Sequence, residues 1–485
     1  MLILKRIVIW IGMMAWFAIN LSAQQRTTGL LFDDEAYEAV PLKKPVLKRN
    51  YENLPASVSL KSYCPQPQDQ GAYANCVGWA AGYAGRTILE ALQQQKGTSI
   101  NITEQAFSPD FLYLLNKSPA DANCQRGISI NQVLKTMQEK GIPRRREFTA
   151  NCNPSVPSGI LEKAQANRIE GYTRLFDKET PDDFRIKIIK KALAQQKPVV
   201  IGIECYESLK KATEYWEGTK DKFVGGHALC VVGYDEQRGA FEVMNSWGTD
   251  WGNQGFSWMR YADFAKVVKY AFELITVDSN NTQTSSTTPA ITEKKLSSLL
   301  EIVLASGEKV AITAAAKAER GIKAVKTAMV AGIHYQTAQS YPSGTRYRLY
   351  LTNEEPAYVY VLGSDLTGAV GQVFPPDEHT SAYLSYPGNA IALPDETWYI
   401  ETDNTVGTDF IGVLYSLQAL DMPTIVAQLN QLTGTFREKI RTVLGDRLIP
   451  NEAITYRTDH IGFQAKSRDR TVLATIIAME HTAKQ

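Results

Sequence analysis

One histidine shares the first half of this chain with all six cysteines. The histidines are His227, His334, His379, His460 and His481; the cysteines are Cys64, Cys76, Cys124, Cys152, Cys205 and Cys230. A thiol becomes a nucleophile when a base takes its proton, and the usual base is an imidazole. His227 is then the one candidate base for any of these thiols. A lone histidine in an apolar run is more often a core residue, but the setting here, VGGHALCVVGYD, argues otherwise. Gly225 and Gly226 let another backbone or a substrate approach closely. Eighteen residues on, NSWGTDWGNQGF supplies Asn245, an amide able to fix an imidazole, and Trp247, an apolar ring able to shield that contact.

Among the cysteines, Cys76 has the most reactive setting. In QDQGAYANCVGWAAGYAG, residues 68–85, it opens an apparent helix six residues after Gln70. The partial positive charge of a helix N-terminus favours thiolate, as does a nearby imidazolium. The Gln70 amide and the backbone N–H of Cys76 are two donors for a developing oxyanion.

Those residues need two kinds of scaffold. Trp79, Ala80, Tyr83, Ile88 and Leu92 recur at helical spacing, which predicts a helix from Cys76 to about Gln95. Residues 129–141 and 184–196 read as two more helices. The pattern then turns to short branched and aromatic runs, PVVIGIEC, HALCVVGYD, AFEVMNSW and GFSWMRY, which predict strands carrying His227 and Asn245.

The rest of the chain frames this region. Its 485 residues suggest several domains, and a 44% apolar content supports large cores. With 52 basic against 51 acidic residues there is no electrostatic case for nucleic acid. Lys5, Arg6, an apolar run from Ile7 to Leu21 and Ser22-Ala23-Gln24 have the layout of a signal peptide cut after Ala23, implying a secreted or periplasmic protein. No later run is long enough to span a membrane. Residues 24–53 form a short extension, and 279–295, SNNTQTSSTTPAITEKK, read as a Ser/Thr-rich linker. From 296 to 485 the chain is mainly strand-like, with a possible helix at 314–332 and an amphipathic helix over about 422–444. Asp377, Glu378 and His379 lie in what reads as a solvated turn. No Cys/His cluster has zinc spacing, so neither metal nor cofactor is expected.

Gln70-Gly71 with Cys76, then GGHALCVVGYD, then NSWGTDWGNQGF, resemble the papain family of cysteine peptidases in residue type, order and gap. The resemblance covers about 54–278 and implies an α+β, two-lobe fold: a helical lobe with Cys76 and a β-barrel-like lobe with His227 and Asn245. It implies Cys76 as nucleophile, His227 as base and acid, Asn245 as its orienting partner and Gln70 in the oxyanion hole. Trp247, Gly127, Gly226 and Ala228 would border the substrate. It also implies a disulfide between Cys124 and Cys152, worth around 3–4 kcal/mol in the chain-entropy model. Cys205 and Cys230 are left as a bridge or as buried thiols, and Cys64 is unassigned.

Four features depart from the family pattern. Val77 stands where a tryptophan usually follows the nucleophile, and Tyr73 where a second cysteine usually precedes it. Arg126 replaces a groove glycine in CQRG, and only about thirty residues lie between the expected cut after Ala23 and Leu54, too few for the family's inhibitory propeptide. Residues 340–416, with YVYVLGSD and Phe374-Pro375, resemble DUF4384, which implies a β-sandwich-like module closed by a C-terminal helix. The expected activity is hydrolysis of peptide bonds in proteins or peptides. The alternatives are an inactive papain-fold binding protein and a cell-wall peptide amidase or acyltransferase.

Overall fold

In the computed structural model the described residues are 26–95, 99–152, 154–218, 220–276, 294–314 and 334–483. The signal-peptide reading, residues 279–293 of the linker and the helix reading over 315–332 fall outside them.

The first scaffold is helical. Residues 76–93 form one continuous helix, α at Cys76–Gly78, π at Trp79–Arg86 and α again at Thr87–Gln93. Wide π turns are rare and tend to mark functional sites. Small residues let this helix sit between the lobes: a Cβ on Gly82 would lie 2.8 Å from Leu112 and Ile142, and one on Gly85 3.0 Å from Val200. The Pro109–Asn116 and Ile130–Glu139 helices pack beside it. Val77, the departure next to Cys76, is fully buried in this lobe's core with Phe111, Leu112 and Val133. It fills part of that core.

The second scaffold is an eight-stranded sheet. Its path runs Gly171–Arg174, Val268–Ile275, Val199–Tyr206, Phe223–Asp235, Ala240–Met244, Phe256–Arg260 and Tyr215–Trp216, with Ser57–Ser59 added beside Phe223–Asp235. The apolar runs of the sequence are its buried central strands. Register sets Val200 against Cys230 and Cys205 against Gly225, so Cys205 and Cys230 are on neighbouring strands but far apart along them. Both are buried thiols, while Cys124 and Cys152 are joined in a disulfide.

Residues 294–314 and 334–483 build two further sheets, one of eight strands and one of six among the described residues. The Ala357–Ser364 strand explains its own composition. Val359 and Val361 face the other sheet's Leu349 and Leu351, whereas Tyr358, Tyr360 and Leu362 face the helices, and a strand buried on both faces reads as a continuous apolar run. The single helix expected at 422–444 is two, Met422–Gln431 and Phe436–Leu444. Gly434 takes φ +107, and Thr435 and Glu438 close a capping box that starts the second helix. The chain does not end there: Ile454–Tyr456, Ile461–Ser467 and Val472–Thr482 return to the sheets, the last between Tyr335–Thr337 and Gly407–Ser416.

Residues 26–53 are built into both parts. Leu42 N–H donates to His379 O at 2.6 Å and Leu42 O accepts from Ser381 at 2.9 Å, while Lys43 N–H reaches Arg174 O at 2.9 Å. The Lys43 ammonium pairs with Glu273 and lies 3.9 Å from the centre of the Tyr386 ring. The other Glu273 oxygen accepts from Ser385 at 3.1 Å. N-terminal segment, first sheet and C-terminal sheets thus meet at one buried ion pair. Burial pulls the Lys43 pKa down to about 8 against the opposing pull of Glu273.

Breaking one side of such a pair costs about 3–5 kcal/mol, whereas replacing both sides with apolar groups can be neutral. Lys43→Ala is expected to lower the thermal unfolding midpoint, and Lys43→Met with Glu273→Leu to restore most of it. An unchanged midpoint in Lys43→Ala contradicts this assignment.

Candidate active site

The approach to Cys76 is a tight turn. Gly71 takes φ +68, and its N–H donates to Asp69 Oδ1 at 2.8 Å. The Gln70 amide is pinned at both ends: Oε1 accepts from Ser246 Oγ at 2.6 Å and Nε2 donates to Tyr73 O at 2.8 Å. One Nε2 hydrogen remains. Asn75 precedes the helix without capping it, its side chain donating to Asp110 at 3.2 Å instead. The first-turn N–H groups are therefore left for the thiol or for a ligand. Burial pushes the Cys76 thiol up to about 12, opposed by the backbone N–H groups of Ala228, Val77 and Cys76 itself.

His227 sits inside the Phe223–Asp235 strand and is fully buried. Asn245 follows the neighbouring Ala240–Met244 strand. His227 Nε2 lies 2.8 Å from Asn245 Oδ1, and that oxygen also accepts the Ser246 N–H at 2.7 Å. The second contact fixes which end of the amide faces the ring. An oxygen that only accepts requires the proton on Nε2, which leaves the Nδ1 lone pair free. Nδ1 is buried and makes no hydrogen bond, so thiol and imidazole are not bonded to each other here. Burial draws the His227 pKa down to about 4, partly offset by Asn245. Trp247 stacks on the imidazole at 4.4 Å and 22°, with Trp251 edge-on behind it at 5.8 Å.

The structure brings Cys76, His227, Asn245 and Gln70 to one interlobe seam, where Cys76 and Ala228, the residue after His227, share one buried cluster and Ser246 ties Gln70 to the loop after Asn245. The remaining expected residues meet the chain's own N-terminal segment. Trp247 Nε1 donates to Thr27 O at 2.8 Å. Gly226 O accepts from both Gly29 and Leu30, at 3.1 and 3.0 Å. Ile128 N–H donates to Gly29 O at 2.9 Å and Ile128 O accepts from Leu31 at 3.1 Å. Gly127 and Gly226 need their lack of side chain here: a Cβ would stand 2.3 Å from Gly29 O and 2.4 Å from Leu30 O respectively. Gly29 itself lies so close that a Cβ would be 2.1 Å from Ala74 O. The Leu30 side chain is buried beside Gly202, Tyr270 and Ile130, in one cluster with Ala228 and Cys76. Behind it, Tyr37 stacks on Tyr270 at 4.5 Å and donates to Phe176 O at 2.7 Å.

This strap is what sequence reasoning missed. It has no period to reveal it, since much of its docking is through backbone bonds and its buried leucine, Leu30, is covered by residues from distant elements. Ser246 was also missed. Its place between Asn245 and Trp247 was the only signal.

Residues 55–272 match the model described as papain family cysteine protease, and residues 340–419 match the domain of unknown function DUF4384. An uncharacterized peptidase C1-like protein of Acanthamoeba polyphaga mimivirus is 29% identical over 206 residues, 40% of this chain and 63% of that protein. Cathepsin K of Gallus gallus is 26% identical over 207 residues, 40% of this chain and 55% of that protein. The chain thus spans 55% and 63% of the lengths of these two relatives. The crystal structure of xylellain, a cysteine protease from Xylella fastidiosa, is 22% identical with a TM-score of 0.44, covering 52% of this chain and 98% of that one. Over residues 55–272 the chain is thus similar to the papain family of cysteine proteases, and over 340–419 to DUF4384.

Proposed function

We propose that the chain is an exported thiol peptidase held in a latent form by residues 26–33. The observation that carries this reading is the His227 Nε2 to Asn245 Oδ1 bond, which leaves Nδ1 as a free base beside the seam where Cys76 opens its helix. In the working enzyme Nδ1 takes the Cys76 proton and the thiolate attacks the scissile carbonyl carbon. The oxyanion that forms is met by the spare Gln70 Nε2 hydrogen and the Cys76 N–H. The leaving amine takes the proton back from His227, and water then hydrolyses the thioester with His227 as base. Trp247 keeps water from the bond that orients the ring.

The groove is filled, and the filler has the form of a peptide: backbone pairs with Gly226 and Ile128, and a leucine in an apolar pocket. Peptides are the expected substrate class, with a leucine-sized side chain suiting the Leu30 pocket. A filled groove with thiol and imidazole unbonded also favours the second reading, a papain-fold protein that binds and does not cleave. Loosening the strap separates the two.

Three outcomes are expected. Cys76→Ala abolishes peptide hydrolysis, a fall of about four to six orders of magnitude; equal rates in wild type and variant would sink the peptidase reading. Asn245→Ala lowers kcat by about two orders of magnitude with little change in KM, because the imidazole loses its fixed tautomer. An unchanged kcat removes Asn245 from that role.

Gly29→Val cannot lie against Ala74 O and is expected to raise hydrolysis at least about tenfold, the return for some 1.4 kcal/mol of lost strap binding. The same change shifts the pH at which the thiol alkylates. Burial raises the Cys76 pKa to about 12 and lowers that of His227 to about 4, so the strapped pair is neutral at pH 7. Admitting water lowers the first and raises the second, so alkylation in Gly29→Val begins at lower pH. Identical rates and identical pH profiles in the two chains would show a permanently closed groove and support the binding reading.

A further inference from the structure

The C-terminal sheets carry a second chemical cluster that the peptidase chemistry does not use. His481, near the end of the Val472–Thr482 strand, and Asp409, in Gly407–Ser416, lie on adjacent antiparallel strands. Gly407 stands opposite His481 and Asp409 opposite Met479, so Asp409 is the diagonal neighbour of His481 on one face. Asp403 reaches the same place from the turn before that strand. His481 Nε2 is 3.4 Å from Asp409 Oδ1 and 3.8 Å from Asp403 Oδ1, and the three ligand atoms all lie within 4.8 Å of one another.

The protonation of His481 can be read from its other side. Ser343 Oγ donates to Thr482 O at 2.9 Å, so toward His481 Nδ1, at 3.0 Å, it can only accept. The proton of the neutral ring is therefore on Nδ1, which turns the Nε2 lone pair toward two carboxylates. His481 is 2% exposed, and Nε2 makes no hydrogen bond. Among the described residues no Lys or Arg pairs with Asp403, Asp409 or the adjoining Asp365. The carboxylates border a cavity of about 270 Å³, where the buried Ser364 hydroxyl also has no partner.

We propose that Asp403, Asp409 and His481 form a divalent transition-metal site at the edge of this cavity, with zinc the best-fitting ion. Ligand atoms about 2.0–2.1 Å from a tetrahedral ion stand roughly 3.3 Å apart, close to the 3.4 Å separation of His481 Nε2 and Asp409 Oδ1. One imidazole with two carboxylates selects zinc over magnesium or calcium, which prefer oxygen alone. Three protein ligands leave a fourth position for water or an oxygen ligand. The Nδ1 bond to Ser343 is the outer contact that fixes a metal-binding histidine's tautomer.

The test is calorimetric titration of Zn²⁺ into the tag-free, chelator-treated full chain carrying Cys76→Ala, which removes the thiol as a competing ligand. One equivalent is expected, with Mg²⁺ binding at least tenfold more weakly. Asp409→Asn should weaken Zn²⁺ at least tenfold, and so should Asp403→Asn, an exposed position where a folding defect is not expected. No bound equivalent, or equal Zn²⁺ affinity in the parent and both asparagine variants, overturns the site.

Discussion

The imidazole of His227 has one nitrogen committed and one to spare, and the organisation of the candidate site follows from that division. Asn245 can hold Nε2 because its oxygen is itself held by the Ser246 N–H. Ser246 in turn reaches across to Gln70, six residues before the thiol. One short run after a strand therefore holds the imidazole, ties down the Gln70 amide and stacks Trp247 on the ring. In a buried setting such bonds are strong when complete and costly when broken. The interlobe seam has to keep its geometry for any of them to survive.

The same burial underlies the proposed latent form. With residues 26–33 in the groove, both members of the reactive pair are cut off from water, and each is pushed toward its neutral state. The strap is more than an obstacle over the thiol. Its continuation carries Tyr37 into the catalytic core and Lys43 into a buried pair with Glu273, beside Ser385 and Tyr386 of the C-terminal sheets. The accessory module and the catalytic sheet grip one N-terminal segment between them, so the three parts are mechanically linked.

Local features were legible in the sequence and long-range ones were not. The helix behind Cys76, the strands behind His227 and the loop of Asn245 announce themselves through residue type and spacing, because each needs its own pattern to form. The strap needs no pattern of its own. Thr27, Gly29 and Leu31 bond through the backbone, and composition does not report where a backbone docks. The short extension expected at 24–53 is long enough to cross the groove once. The break at Gly434 was legible in principle: Thr435 and Glu438 have capping-box spacing, but the apolar period runs on through them. Val77 departs from what usually stands there, and only packing shows it fully buried in the helical lobe's cluster. Whether Cys205 and Cys230 could meet depended on strand register, which composition does not encode.

The central claim is chemical: a peptide's acyl group passes through the sulfur of Cys76. The direct measurement is acid-quench mass spectrometry after mixing the Gly29→Val chain with an activated peptide ester. The account predicts an acyl mass on the fragment containing Cys76, appearing before product accumulates and decaying as it does. Hydrolysis with no adduct at Cys76, or an adduct confined to another cysteine, would contradict it.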